Sequence, residues 1–117
     1  MNMTSESFFA AMAHPLRLRA LVLLQSEGEL CVCELTHGLG AAQPTVSRHL
    51  AQLREAGIVL DRREGLWIHY RLHPGLAPWA QNVLRATAEG VSDTAPFAAD
   101  RQVLADMPNR PGARCCA

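Results

Sequence analysis

Apolar positions fall into blocks with two different repeats, and the first half of the chain follows the helical one. Phe8, Phe9 and Met12 form the apolar side of a short helix that Thr4 or Ser5 would cap, with Glu6 in its first turn. His14-Pro15 interrupts it, and Pro15 suits the first position of a second helix reaching Leu24. Leu16, Leu18, Leu21, Val22, Leu23 and Leu24 make that helix apolar nearly all round, which marks it as central, and Ser26-Glu27-Gly28-Glu29 ends it. A third helix is predicted over 31–39, with Cys31, Leu35 and Leu39 at i, i+4 and i+8 facing the core. A fourth begins near Gln43, with Pro44 in its first turn, and stops at Gly57. Val46, Leu50 and Leu53 are its inner stripe. At about 100° per residue, Arg48 and Glu55 point directly away from that stripe, flanked by Thr45, Ser47 and Gln52.

After Gly57 the repeat drops to two. Residues 58–63 and 66–72 alternate as strands around a Glu64-Gly65 turn. Gly38-Leu39-Gly40-Ala41-Ala42 has the length of the turn in a helix-turn-helix, and a hairpin after such a unit makes a winged helix. The predicted fold is therefore α+β, mainly α: a winged helix-turn-helix with a two-stranded wing and terminal dimerisation helices. Pro74-Gly75 separates the wing from a fifth helix over about 78–89, with Trp79, Val83 and Ala86 on one side. A winged helix already has its core, so this amphipathic helix wants a partner, and the same helix of a second subunit is the economical answer. From Ser92 the composition shifts to Ala, Asp and Pro; a short helix fits around 98–107, and Asn109-Arg110-Pro111-Gly112 leads to Cys115-Cys116. The organisation is one winged-helix DNA-binding and dimerisation domain over 1–91 and a partly flexible C-terminal tail over 92–117.

Bulk properties change this picture little. A chain of 117 residues, 49% apolar, suits one domain with a modest core. No apolar run reaches the roughly 18 residues of a membrane span, and the N-terminus lacks the pattern of a signal peptide, so a cytoplasmic protein without a membrane partner is expected. Equal numbers of basic and acidic residues, 11 each, look poor for a nucleic-acid binder. Their distribution helps: between Gln43 and His73 five arginines (48, 54, 62, 63, 71) face three acids (55, 61, 64).

Candidate chemistry lies on either side of the predicted turn. Cys31 and Cys33, with Cys115 and Cys116 at the end of the chain, look like a ligand set for a soft ion or a redox pair rather than structural disulfides. Amide N–H groups at a helix start favour a thiolate at Cys31, while Glu29 and Glu34 oppose it. Cys31 also reads as a small core residue; Cys33 faces the other way. Gln43, Thr45, Ser47 and Arg48 are placed in the major groove, where the N-terminal half of a recognition helix meets base edges. His49, beside the apolar stripe, is packing or phosphate-bonding. Arg62 and Arg63 at the wing tip suit phosphates. His14, His69 and His73 take structural readings, and one of Trp67 and Tyr70, on opposite strand faces, should pack on the core.

The segments 29–35, 43–50 and 67–72 resemble, in order and spacing, the ArsR/SmtB metalloregulators, most closely the arsenic-responsive repressors, over about Phe8 to Ala88. The resemblance implies a homodimer bound to double-stranded operator DNA with an inverted repeat, released when As(III) or Sb(III) binds cysteine thiolates, with no catalytic cofactor. The repressors it resembles carry a third cysteine where this chain has Thr36, which makes Cys115 or Cys116 the substitute; His37 is a weaker alternative that would favour zinc. A thiol redox switch and a sensor of Cd, Pb or Zn on the same scaffold are the rival readings, whereas a thiol enzyme lacks a phosphate-cradling loop and a placed base. Residues i and i+2 of a helix differ by about 200°, so a bound ion is expected to unwind the start of the third helix to unite Cys31 and Cys33.

Overall fold

The computed structural model describes residues 3–108 and Arg110. Among these, the order is α1 (Ser5–Met12), α2 (Pro15–Glu27), β1 (Glu29–Cys31), α3 (Val32–Leu39), α4 (Gln43–Glu55), β2 (Val59–Glu64), β3 (Trp67–Leu72), α5 (Pro78–Val91) and α6 (Phe97–Ala105). Thr4 caps α1 through a reciprocal pair with Ser7, and His14 caps α2 by accepting from the Leu16 N–H at 3.1 Å. Leu21, Val22, Leu23 and Leu24 are all buried, so α2 is the central helix its composition announced. It runs three residues past Leu24, until Gly28 at φ 91° turns the chain. No single helix among the described residues is long and apolar enough to cross a membrane.

The helix-turn-helix forms as expected. Gly40, in the left-handed conformation at φ 63°, ends α3, and three residues, Gly40 to Ala42, join it to α4. Val46, Leu50 and Leu53 are all at most 1% exposed. The wing is the β2–β3 hairpin, in register from Val59↔Leu72 to Glu64↔Trp67. Its turn is Gly65-Leu66, one residue later than predicted, because Gly65 takes the positive φ of 62° and Glu64 still pairs. Tyr70 packs inward at 5% exposure and Trp67 does not, at 36%.

Two features were not anticipated. The sheet has three strands, in the order β1-β3-β2, because the short β1 joins the wing's inner edge with Glu29↔Arg71, Leu30↔Tyr70 and Cys31↔His69. The helix at 97–105 is not a loose tail but part of the main core. Leu104 is 1% exposed, and the buried Asp100 carboxylate accepts two hydrogen bonds from Arg19, at 2.7 and 2.8 Å. Gly38 permits this approach, since a Cβ there would stand 3.3 Å from Leu23 and 3.6 Å from Leu104.

Candidate thiol site and DNA-reading face

Strand β1 decides where α3 begins. Pairing with β3 keeps Cys31 extended (φ −81°, ψ 165°), so the helix starts at Val32 and Cys31 becomes its N-cap. Cys33 then falls in the first turn, and the two Sγ atoms are 2.7 Å apart. This overturns the expectation that the turn must unwind to unite the pair. The extended step that the unwinding was to supply is already provided by the strand. Cys31 is wholly buried on the Leu35/Leu39 stripe, and Cys33 is half-buried.

Glu34 anchors the same corner. It is 1% exposed, and its Oε1 accepts from the Cys31 N–H at 2.9 Å while the Cys31 sulfur faces the Glu34 N–H, a capping box with sulfur in place of the usual hydroxyl. Oε2 accepts from Arg110 Nε at 2.7 Å, and the other side of that guanidinium donates to Glu27 at 2.8 Å. The two carboxylates, Glu27 foremost, hold the Arg110 pKa above its ordinary value. Arg110 thus ties the chain's last described residue to the end of α2 and the start of α3. Sequence reasoning missed it; a contact spanning 76 residues leaves no local pattern.

The described residues supply two sulfurs to a soft ion and no third ligand. No group of three His, Cys, Asp or Glu side chains converges among them. His37 is exposed, and Thr36, at the position of the expected third cysteine, keeps a buried hydroxyl with no hydrogen-bond partner. Cys115 and Cys116 lie outside the described residues. The donor set fits a thiophilic centre.

The recognition face divides into three. Gln43 and Arg48 are exposed and Thr45 and Ser47 half-buried, and Arg48 is in no ion pair among the described residues. For His49, expected to pack or to bond phosphate, the structure keeps the packing role and sets the DNA contact aside. His49 is 9% exposed, its ring lies 4.3 Å from that of His14, and its Nδ1 is 3.3 Å from an Arg17 nitrogen, so it packs inside and presents nothing to a groove. Burial, then the positive fields of His14, Arg17 and Arg48, push its pKa below the usual imidazole value. Arg62 is a correction. It donates to Glu29 at 2.7 and 2.9 Å and to Glu64 at 2.8 Å, which spends its guanidinium on fastening β1 to the wing. Arg63 is exposed beside it. His69 is buried next to Glu64, and His73 accepts from the Gly75 N–H at 2.9 Å, both structural as expected.

A cavity of about 640 Å³ separates the DNA-reading helix from the wing. Cys33 and Thr36 line one side, Ser47 and Ala51 of α4 another, and Trp67 and Ile68 of β3 the third.

A helix-turn-helix with a solvent-facing arginine on its second helix, followed by a hairpin carrying another, defines the winged-helix DNA-binding regulators. Residues 14–60 match the family described as bacterial regulatory protein, arsR family. The arsenic resistance transcriptional regulator ArsR1 of Pseudomonas putida is 46% identical over 109 residues, covering 93% of this chain and 84% of that one. Among solved structures, HlyU from Vibrio cholerae N16961 matches with a TM-score of 0.67 at 30% identity, over 74% of this chain and 90% of that chain. The homodimeric winged helix-turn-helix DNA-binding domain Mb0332 from Mycobacterium bovis matches at 0.61 and 30%, over 75% and 77%. This chain belongs to the arsR family of bacterial regulatory proteins. It is a DNA-binding transcription regulator and not an enzyme.

Proposed function

We propose that the chain is a homodimeric repressor of an arsenical-resistance operon, working in the cytoplasm. It holds an inverted-repeat operator until As(III) or Sb(III) bonds its cysteine thiolates. The observation that carries this is the thiol pair, Sγ atoms 2.7 Å apart, at the start of the helix that a three-residue turn joins to α4. Gln43, Thr45, Ser47 and Arg48 read the major groove and Arg63 meets phosphate. Cys31 and Cys33 are two ligands, and the third comes from Cys115 or Cys116. Arg110 supports the last assignment, because five residues beyond this anchor extend at most about 17 Å.

Release follows from competition for one sulfur. Cys31 Sγ faces the Glu34 N–H at the start of α3, and a soft ion that takes its lone pair weakens both halves of the capping box. The first turn of α3 loosens, and the short connection passes the change to α4. The ion shifts the population only by preferring this loosened, non-binding form.

Operator-DNA anisotropy titrated with arsenite tests the reading. Cys31→Ser and Cys33→Ser should bind operator normally and no longer release it. Normal release by Cys33→Ser would refute it. The same 2.7 Å approach favours one second reading, oxidation of the pair to a disulfide. Intact mass distinguishes them: peroxide-induced release with a loss of two hydrogens supports a redox switch, and an arsenic adduct supports the metalloid sensor.

A further inference from the structure

We propose that Leu66, at the tip of the wing, selects A·T base pairs in the minor groove flanking each half-site, because it offers the 2-amino group of guanine neither room nor a partner. This role lies outside the thiol corner and does not depend on it; it rests on α4 lying in the major groove. Gly65 and Leu66 form the hairpin turn, and Leu66 is 91% exposed, the most exposed large apolar side chain among the described residues. A single exposed leucine means little by itself. Its placement gives it meaning: Leu66 lines the same cavity as Gln43 and Ser47 of α4. The wing tip and the base-reading side of the recognition helix therefore open on one space, and a duplex that meets the helix meets Leu66.

Dimensions fix the groove. A helix with its side chains is about 10–12 Å across and fills a major groove about 12 Å wide. A tip held off from that helix by a cavity of about 640 Å³ stands beyond the sugar–phosphate strand bounding the groove, over the neighbouring minor groove. The minor groove is only about 6 Å wide, so it admits a turn that carries few side chains. Gly65, at φ 62° with open space around its Cβ position, brings none, and Leu66 is left as the probe. Charge agrees. Arg62 is held by Glu29 and Glu64, so among the described residues the tip presents the exposed Arg63 for phosphate and an isobutyl group for base edges. In the minor groove A·T and T·A show acceptors alone, with the adenine C2–H at the centre of the floor, whereas G·C places its N2–H2 donor there. Leucine accepts no hydrogen bond. Packed on A·T it covers a C–H edge; packed on G·C it strips water from a donor and leaves it unpaired.

The test selects a duplex from a random pool with the full chain, then measures anisotropy on that duplex with single flanking pairs exchanged. Replacing A·T by G·C where the wing enters should weaken binding about tenfold. Inosine·cytosine, which keeps the major-groove face of G·C but lacks the 2-amino group, should bind as A·T does. Diaminopurine·thymine, which adds that group to A·T, should bind as G·C does. Leu66→Ala, too short to reach the floor, should bind all four duplexes within about twofold of one another, and Leu66→Met should keep the tenfold ranking. Neither should alter the salt slope, which Arg63→Ala should lower by about one. Leu66 loses this role if inosine·cytosine binds like G·C, if the flanking pairs carry no preference, or if Leu66→Ala retains the ranking. If the pool yields no enriched sequence, the placement of α4 in the major groove falls and takes this role with it.

Discussion

Thr36 follows Cys33 by three residues, close to one helical turn, and keeps a buried hydroxyl that nothing among the described residues satisfies. A thiol at this position would complete a three-sulfur set without help from the end of the chain. Thr36→Cys should therefore lower the arsenite needed for half-release about tenfold, roughly 1.4 kcal/mol of binding, and make the response indifferent to Cys115→Ser/Cys116→Ser. Anisotropy titrations of the single and triple variants measure both effects, and an unchanged requirement would mean that residue 36 points away from the ion. His49 supplies a second residue-scale expectation. Neutral His49 accepts from Arg17, and its pKa is lowered by burial and by the charges of His14, Arg17 and Arg48. The unfolded chain then binds a proton where the folded one does not, so stability rises with pH across that window. Stability is fully present above the ordinary imidazole value of about 6.5 and declines as pH falls through the interval down to the folded pKa. Urea unfolding at a series of pH values should show this slope, and His49→Gln should flatten it.

At the scale of elements, what was legible depended on whether the cause is local. Amphipathic repeats, Pro15 and Pro44 at helix starts, and Gly57 after α4 are local, and the corresponding helices appear within a few residues of their predicted limits. Strand β1 is three residues long and exists only because β3 lies beside it, so no periodicity in Glu29-Leu30-Cys31 betrays it. That omission moved Cys31 into a helix and produced the mistaken separation of the two sulfurs. The α6 helix was visible as a segment, but its attachment was not, since Arg19 and Asp100 are 81 residues apart in sequence. Asp100→Ala removes two charged hydrogen bonds from a site where Asp100 is 4% exposed, and leaves Arg19 with the Leu39 carbonyl alone. The expected cost is about 2 kcal/mol, a fall of about 10 °C in Tm, readable by calorimetry. A Tm within about 2 °C of wild type would detach α6 from the core.

For the whole molecule, the decisive surface is the one the monomer leaves uncovered. Helix α5 buries Ala80, Leu84 and Ala88, and its predicted stripe of Trp79, Val83 and Ala86 turns out to be a second apolar side, with Trp79 41% exposed, Val83 half-buried and Ala86 exposed. Phe9 of α1, 50% exposed, continues it: its ring lies 6.3 Å from Trp79, and both pack against the buried Phe8. A second copy related by a two-fold axis would cover these rings and set two recognition helices about 34–36 Å apart, one turn of duplex. Affinity for an inverted repeat then depends on both halves being joined, because each half contributes few phosphate contacts; Arg54 and Arg62 are held by Asp61, Glu29 and Glu64. Trp79→Glu should yield a monomer in sedimentation, bind the full operator at least about a hundredfold more weakly, and show about half the salt slope. Phe9→Glu should do the same from the other helix. Arsenical addition to Cys31 and Cys33 should survive in both variants, because α1 and α5 form no part of the thiol corner; a monomer that still grips the full operator with wild-type affinity and slope would remove the two-fold arrangement from the account.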